Sequence, residues 1–383
     1  MNRILPTLIF LIVVNPFYSQ TLKVNSVIDT TIFKNFKEPL DLWLDFLNAD
    51  SDSVAAQYWN KDELSRYGSK SYFLTKHGIS MQGDFHKNLR KYRLDFVVID
   101  ICQIKDAYSI KSSISLPRKD STIATVVSIF NIFVKKVDGE FKLYNALIQN
   151  TIAYCNTTNI GYINFHHLKI HDFDYELAKK QSDFYLKFSQ DFEVPIDTVD
   201  YYFAPNNIEL QRLRGFDYVW GQFTTNTPSG IADVNRKIVY STGLNEYYPH
   251  EFIHILISPV YYNDCHDWFD EGLATFYGMS RGKELDWHLK RFTMYLKENP
   301  TIDLDSMLNY SNMDSFTGFK YVLGGYFMKK AFEKGGIPLQ KKFLVTGKED
   351  WDFYYTIEKY LGIKQKQLNE VIRKELYEIY LND

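Results

Sequence analysis

The pattern of apolar and polar positions changes character along the chain, from one early helix to a run of strands. The early helix is predicted because apolar residues recur at three- and four-residue intervals, at Leu40, Trp43, Leu44 and Leu47. Strands are predicted next because β-branched and aromatic residues dominate and partly alternate with polar ones. These strand segments are residues 94–101, 108–116, 121–136 and 140–148.

A hairpin joins the last two of these strands, because Asp138-Gly139 is a dipeptide that suits a tight two-residue turn. Residues 35–150 are therefore predicted to form an α+β module with about four antiparallel strands after its helix. This order resembles the cone-shaped nuclear-transport-factor-2-like fold. The polar segment 150–159 is predicted to be a linker.

Beyond the linker, residues 161–383 are predicted to form a second domain that is mostly helical towards its end. Strands are expected at residues 161–167, 198–204 and 236–242, with an amphipathic helix at 175–188. From residue 286 onward the spacing favours helices, interrupted by the glycine pairs that begin at Gly324 and Gly335. The predicted fold class is thus α+β, with a mostly helical C-terminal part.

The first twenty residues have the layout of a secretory signal peptide. A short basic start is followed by a nearly continuous apolar run and then by polar residues. A buried N-terminal helix is the alternative. The expected location is secreted or periplasmic, with no transmembrane segment after signal cleavage because no later apolar run is as long.

The composition is typical of a globular protein and does not indicate nucleic-acid binding. Hydrophobic residues make up 45% and charged residues 24%, with a formal net charge of −3. Because basic and acidic residues are interleaved, no nucleic-acid partner is expected. The composition does not indicate the oligomeric state.

The chemistry of the chain concentrates in His250-Glu251-Phe252-Ile253-His254. A helix is predicted here, because Asn245 can cap it, Pro249 falls in its first turn and Pro259 can end it. Histidines four residues apart lie on one face of a helix and can reach the same metal ion. Glu251 lies beside that position, where a general base must be. The alternative is an ordinary helix that carries two histidines.

A third metal ligand is predicted at Glu271. It follows His254 after a gap of 16 residues, on a second helix that would pack through Trp268, Leu273 and Phe276. Catalytic zinc usually has three protein ligands and one open position, and a His-His-Glu set suits Zn²⁺. Asp270 is placed to accept a hydrogen bond from a ligand histidine.

Together, His250-Glu251-x-x-His254 and Asp270-Glu271-Gly-Leu-Ala resemble the gluzincin metallopeptidases, the clan of thermolysin and aminopeptidase N. The resemblance implies a zincin-like domain in which His250, His254 and Glu271 bind zinc and Glu251 is the base. It also implies hydrolysis of peptide or protein substrates.

Two further features follow from this resemblance. Residues 236–242 would be the edge strand that aligns substrate, and a tyrosine on a later helix would face the oxyanion, with Tyr321 preferred to Tyr326. The Gly-x-Met-Glu-Asn element is absent, so the resemblance does not imply aminopeptidase specificity.

Other readings of the sequence remain open. His166, His167 and His171 are expected in a solvated loop. His266 and His288 flank the candidate site and are not expected to bind the metal, with contact between His266 and a ligand residue as the alternative. The alternative function is a catalytically inactive, peptidase-like scaffold or binding protein, whose N-terminal module binds a ligand or partner. A module of that kind would have buried polar groups along its cone, whereas a filled cone would argue against a ligand.

Overall fold

We analysed a computed structural model of the protein, which describes residues 22–67, 91, 94–116, 125–220 and 227–381. Within these ranges the chain forms an α+β fold with two sheets and a helical C-terminal part, which confirms the predicted class. The signal peptide predicted at residues 1–20 lies outside the described residues.

The first sheet confirms the predicted run of antiparallel strands. Its consecutive strands are β1 (Leu22–Val24), β2 (Asp95–Ile104), β3 (Ala107–Leu116), β4 (Thr125–Val137) and β5 (Glu140–Asn145). Strands β2 to β5 pair antiparallel, and β1 pairs parallel with β2. At the turn from β4 to β5, Asp138 and Gly139 have φ values of 52° and 88°, as a tight hairpin with the right-handed strand twist requires.

Helices pack against this sheet, and their apolar side chains form a shared core with it. They are α1 (Lys37–Asn48), α2 (Asp52–Ala55) and α3 (Lys61–Tyr67), with short 3-10 turns at Lys34–Phe36 and Ala56–Tyr58. The fully buried aromatic residues of this core are Trp43, Phe46, Trp59, Phe96, Phe130 and Phe216. The Trp43 indole donates to Ser112 Oγ over 3.0 Å. In the described part of the module, the rings of α1 therefore pack against those of the sheet and of the residue that follows the turn at Ala56–Tyr58, as in the contacts of Trp43 with Phe130 and of Phe46 with Trp59.

The linker predicted at residues 150–159 is wrong. The segment belongs to α4 (Ala146–Tyr154) and to strand β6 (Cys155–Ile160). Strand β6 lies at one edge of the second sheet, and three of its six residues are exposed. An edge strand with solvent-facing side chains has the polar composition of a linker, so composition alone could not distinguish the two.

The second sheet carries an antiparallel strand at its other edge. Its order is β10 (Ser229–Asp233), β11 (Ile238–Thr242), β8 (Val199–Ala204), β7 (Ile163–Leu168) and β6. Strand β10 runs antiparallel to β11, while β11, β8 and β7 run parallel. The prediction of residues 236–242 as the edge strand is wrong, because β11 is interior and all its residues are buried.

Strand β9 (Phe216–Val219) connects the two sheets. It follows β8 in the sequence, but it pairs with β4 of the first sheet. The two halves of the described chain therefore share a sheet, although the sequence pattern predicts two consecutive domains.

The remaining helices cover the second sheet and form the C-terminal part. They are α5 (Tyr175–Phe192), α6 (Asn207–Leu213), α7 (Pro249–Tyr261), α8 (Asp267–Gly278), α9 (Leu285–Glu298), α10 (Phe319–Phe343), α11 (Asp350–Leu361) and α12 (Leu368–Tyr380), with 3-10 turns at Leu304–Asn309 and Gln365–Gln367. Among the described helices, none combines the length and apolar character needed to cross a membrane.

One of the two predicted glycine breaks is wrong. Gly324 and Gly325 lie inside continuous helix α10, whereas Gly335 and Gly336 have non-helical backbone angles within its range. Gly336 has φ of 61°, a conformation that glycine adopts without a steric penalty. Gly324 instead lies where helix α10 contacts helix α8 closely.

Candidate metal centre

Helix α7 carries the two candidate histidines on its buried side. Pro249 occupies the first turn, where its missing N–H costs no helical hydrogen bond. The predicted cap is wrong: Tyr248 is the N-cap residue, and Asn245 Oδ1 instead accepts from the Tyr247 backbone N–H over 3.0 Å. The predicted end is also wrong, because α7 continues through Pro259 to Tyr261.

Helix α8 brings the third candidate ligand against α7. Its buried Trp268 and Leu273 and half-buried Phe276 belong to the large core of the second half, where the ring of Trp268 packs against Phe353 and that of Phe276 against Phe332. At its C-terminal end, a β-carbon added to Gly278 would lie only 2.6 Å from the backbone nitrogen of His250. Only glycine allows the two helix ends to approach this closely.

The three predicted ligand residues lie together. His250 Nε2 is 3.3 Å from Glu271 Oε2 and 3.4 Å from His254 Nε2. The third side, from His254 Nε2 to Glu271 Oε2, is 3.4 Å. Among the described residues, this is the group of three or more His, Cys, Asp and Glu side chains close enough to hold a metal ion.

The size of this triangle fits zinc. Ligand atoms about 2.0–2.1 Å from a tetrahedral ion lie about 3.3–3.4 Å apart, because the tetrahedral angle sets their separation at about 1.63 times the bond length. The observed 3.3 and 3.4 Å sides match this spacing. The donor set of two imidazoles and one carboxylate is also one that Zn²⁺ accepts.

The Nδ1 atom of each of these two histidines lies near a hydrogen-bond acceptor. His250 Nδ1 donates to the Met279 carbonyl over 2.5 Å. His254 Nδ1 lies 3.2 Å from Asp270 Oδ2, the contact predicted for Asp270. Because both Nδ1 atoms are occupied in this way, both Nε2 atoms are oriented towards Glu271.

The charges at this site are strongly coupled. Burial alone would lower the pKa of His254, but the carboxylates of Asp270 and Glu271 outweigh it and hold that pKa well above its usual range. Burial alone would raise the pKa of Glu271, but hydrogen bonds from His250 and His254 hold it well below its usual range. In the metal-free protein, His254 and Glu271 therefore form an ion pair.

Glu251 faces the cleft from the first turn of α7. It is 7% exposed, and burial raises its pKa above the usual value of a carboxyl. A β-carbon added to Gly230 on strand β10 would lie 2.7 Å from Glu251 Oε1. The absence of a side chain at Gly230 therefore makes room for the Glu251 carboxylate beside the edge strand.

A cleft of about 780 Å³ opens beside the three ligand residues. Strand β10 lines it with Gly230, Ile231 and Ala232, and α7 lines it with Glu251 and Ser258. The edge strand and Glu251 thus border the same space.

Of the two candidate tyrosines, Tyr321 lines this cleft and Tyr326 does not. The Tyr321 hydroxyl lies 3.4 Å from Glu271 Oε1, and burial raises its pKa, so it stays protonated and can donate. Tyr326 instead donates to Glu375 Oε2 over 2.6 Å on the C-terminal helix α12.

The other histidines among the described residues lie outside the metal centre. His266 caps α8, where its Nδ1 accepts from the Trp268 backbone N–H. His288 contacts Thr317 Oγ1 and the Ser280 carbonyl. The expectation of a solvated loop is wrong for His166 and His167, which are buried on β7.

The sequence patterns did not identify three residues that act around the site. The Met279 carbonyl orients His250, and the Lys320 ammonium lies 3.4 Å from Glu271 Oε1. Arg281 donates to the Pro228 carbonyl just before β10, and its charge lowers the pKa of Glu251 against the effect of burial. Of these three residues, only Lys320 has a signal in the sequence, because it directly precedes the candidate residue Tyr321.

Comparison with protein-family models gives no match for this chain, and comparison with curated proteins gives none either.

Proposed function

We propose that this protein is a zinc-dependent metallopeptidase of the gluzincin type, which hydrolyses peptide bonds with Glu251 as general base. The observation that carries the proposal is the triangle of His250 Nε2, His254 Nε2 and Glu271 Oε2, whose 3.3 to 3.4 Å sides suit tetrahedral zinc. The neighbouring carboxylate of Glu251, buried in the same cleft, supports hydrolysis rather than a purely structural metal site.

When bound, zinc would polarise the scissile carbonyl and lower the pKa of a water to about 7. Glu251 takes the proton from that water and passes it to the leaving amine. Its burial raises its pKa towards the working pH, which is the range in which a general base is effective. Tyr321 donates its hydroxyl proton to the developing oxyanion as a hydrogen bond.

A peptide is the substrate class that the cleft favours. Strand β10 pairs with β11 on one side and borders the cleft on the other. An extended peptide can therefore add to this edge through backbone hydrogen bonds. Such a peptide would pass Glu251 and the ligand triangle.

We also propose that the protein acts outside the cytoplasm, in a periplasm or as a secreted protein. This part of the proposal rests on the basic, apolar and polar order of residues 1–20.

Metal content and peptide hydrolysis test the proposal together. We expect about one zinc per chain by elemental analysis, and much less in His254→Ala and Glu271→Gln, because each loses one of three ligands. Glu251→Gln should retain zinc and lose roughly 10²- to 10⁴-fold of the hydrolysis rate, because only the proton transfer is removed.

Glu298→Gln, at an exposed position on α9, is the matched control and should behave as wild type. A wild-type protein that holds no zinc after reconstitution would contradict the proposal. Zinc binding without hydrolysis of any peptide in a broad library would instead support the inactive, peptidase-like scaffold.

A further inference from the structure

The two oxygens of the Glu271 carboxylate have different surroundings. Oε2 faces the two imidazoles, at 3.3 Å from His250 Nε2 and 3.4 Å from His254 Nε2. Oε1 faces the start of helix α10, at 3.4 Å from the Tyr321 hydroxyl and 3.4 Å from Lys320 Nζ. One oxygen is thus directed to the metal position and the other away from it.

Lys320 is held in place by a second carboxylate. Its ammonium lies 3.4 Å from Asp267 Oδ2 as well as from Glu271 Oε1, so it bridges the first turn of α8 to the ligand. The Lys320 side chain is 31% exposed, and Glu271 is 20% exposed. At this burial, solvent screens the pair only in part, and the charge of Lys320 acts on the ligand.

We propose that Lys320 is a positioning residue which, with Tyr321, holds Oε1 of Glu271 away from the metal. The carboxylate then offers one oxygen, and the site keeps three protein ligands and an open position for chemistry. The inference rests on the metal centre of the proposed function and adds a residue that the sequence motif does not contain.

Two consequences follow from the charge and the geometry of Lys320. Without the ammonium, Oε1 is free to turn towards the ion, so Glu271 becomes bidentate and the coordination number rises. In addition, the Lys320 ammonium repels a divalent ion bound at Oε2. For a charge separation of roughly 6 Å, its removal strengthens binding by roughly tenfold even with water-like screening. Both effects make the metal bind more tightly.

Cobalt substitution tests the inference without a measurement of catalysis. Co²⁺ absorbs visible light more strongly when four-coordinate than when five-coordinate, so its spectrum reports coordination number directly. We expect Lys320→Met to lose visible absorption intensity relative to wild type and to bind Zn²⁺ roughly tenfold more tightly in a chelator competition. Lys320→Arg keeps the charge and should retain the wild-type spectrum.

Lys329→Met is the matched control, because Lys329 lies on the same helix and pairs with Glu333 four residues later. It should change neither the spectrum nor the affinity. An unchanged Lys320→Met spectrum, or weaker zinc binding by that variant, would overturn the positioning role while leaving the metal centre intact. A wild-type protein that takes up no Co²⁺ would overturn the metal centre as well.

Discussion

At the residue scale, the candidate site is an ion pair that a metal would have to replace. His254 is paired with Asp270 and Glu271, and those carboxylates keep its pKa well above the usual range against the effect of burial. Because a metal ligand must be deprotonated, metal uptake and proton release are coupled at this histidine.

Zinc affinity should therefore depend on pH in the neutral range. Below the raised pKa of His254, each ion displaces one proton, so the logarithm of the apparent affinity rises by about one per pH unit. Above that pKa the affinity levels off. Calorimetric titrations in buffers of different ionisation enthalpy would count the released protons at each pH.

Asp270→Asn is the informative variant for this prediction. Loss of the carboxylate beside Nδ1 lowers the pKa of His254, so the pH at which the affinity levels off should fall. Zinc uptake at pH 7 without proton release in wild type would contradict the coupling.

At the element scale, the site depends on the close contact between α8 and α10. A β-carbon added to Gly324 would lie 2.1 Å from the Trp268 carbonyl oxygen, and one added to Gly272 would lie 2.3 Å from the Gly324 carbonyl carbon. This contact of two glycine backbones brings the first turn of α10, with Lys320 and Tyr321, up to Glu271.

Gly324→Ala should therefore damage stability and the metal site together. The new methyl group meets backbone atoms that cannot rotate away, so the helices must separate, at a cost of about 1–3 kcal/mol in the free energy of unfolding. We also expect weaker zinc binding, because α8 carries Glu271. Thermal unfolding and zinc titration would measure the two effects.

Gly325→Ala is the adjacent control. Its β-carbon would meet the end of the Leu285 side chain, which can change rotamer, and alanine is the better helix former. It should be close to neutral. Equal losses from both substitutions would show that the effect is not specific to the backbone contact.

At the scale of the whole molecule, strand β9 makes the two sheets depend on each other. Phe216 follows β8 in the sequence but is fully buried in the core of the first sheet, where its ring centroid lies 6.4 Å from that of Phe130. If the first sheet unfolds, strand β9, which the second half of the chain supplies, therefore loses its packing.

Phe216→Ala should lower the free energy of unfolding by about 3–5 kcal/mol, because it removes a fully buried aromatic ring. The midpoint for zinc release should fall together with that for loss of secondary structure, because the halves unfold as one unit. Phe332→Ala, at a side chain that is 43% exposed, is the control. Zinc release at an unchanged temperature would indicate that the halves unfold independently.

Features that depend on local spacing follow from the amino-acid sequence alone. The strand run β2 to β5, the Asp138-Gly139 hairpin and helix α1 follow from apolar periodicity and turn chemistry, which act over a few residues. The placement of His250, Glu251 and His254 on one helix is equally local, because helix geometry sets their relative directions.

Features that depend on partners distant in the chain are set by tertiary contacts. Which strand is an edge depends on pairing, so β10 and not β11 borders the cleft. Gly324 was predicted to break a helix, yet it makes a helix contact whose partner, Gly272, is 52 positions earlier in the sequence. Lys320 reaches Glu271 only because that contact exists. Local preferences cannot encode such contacts, since they arise when separate elements bury their surfaces against each other.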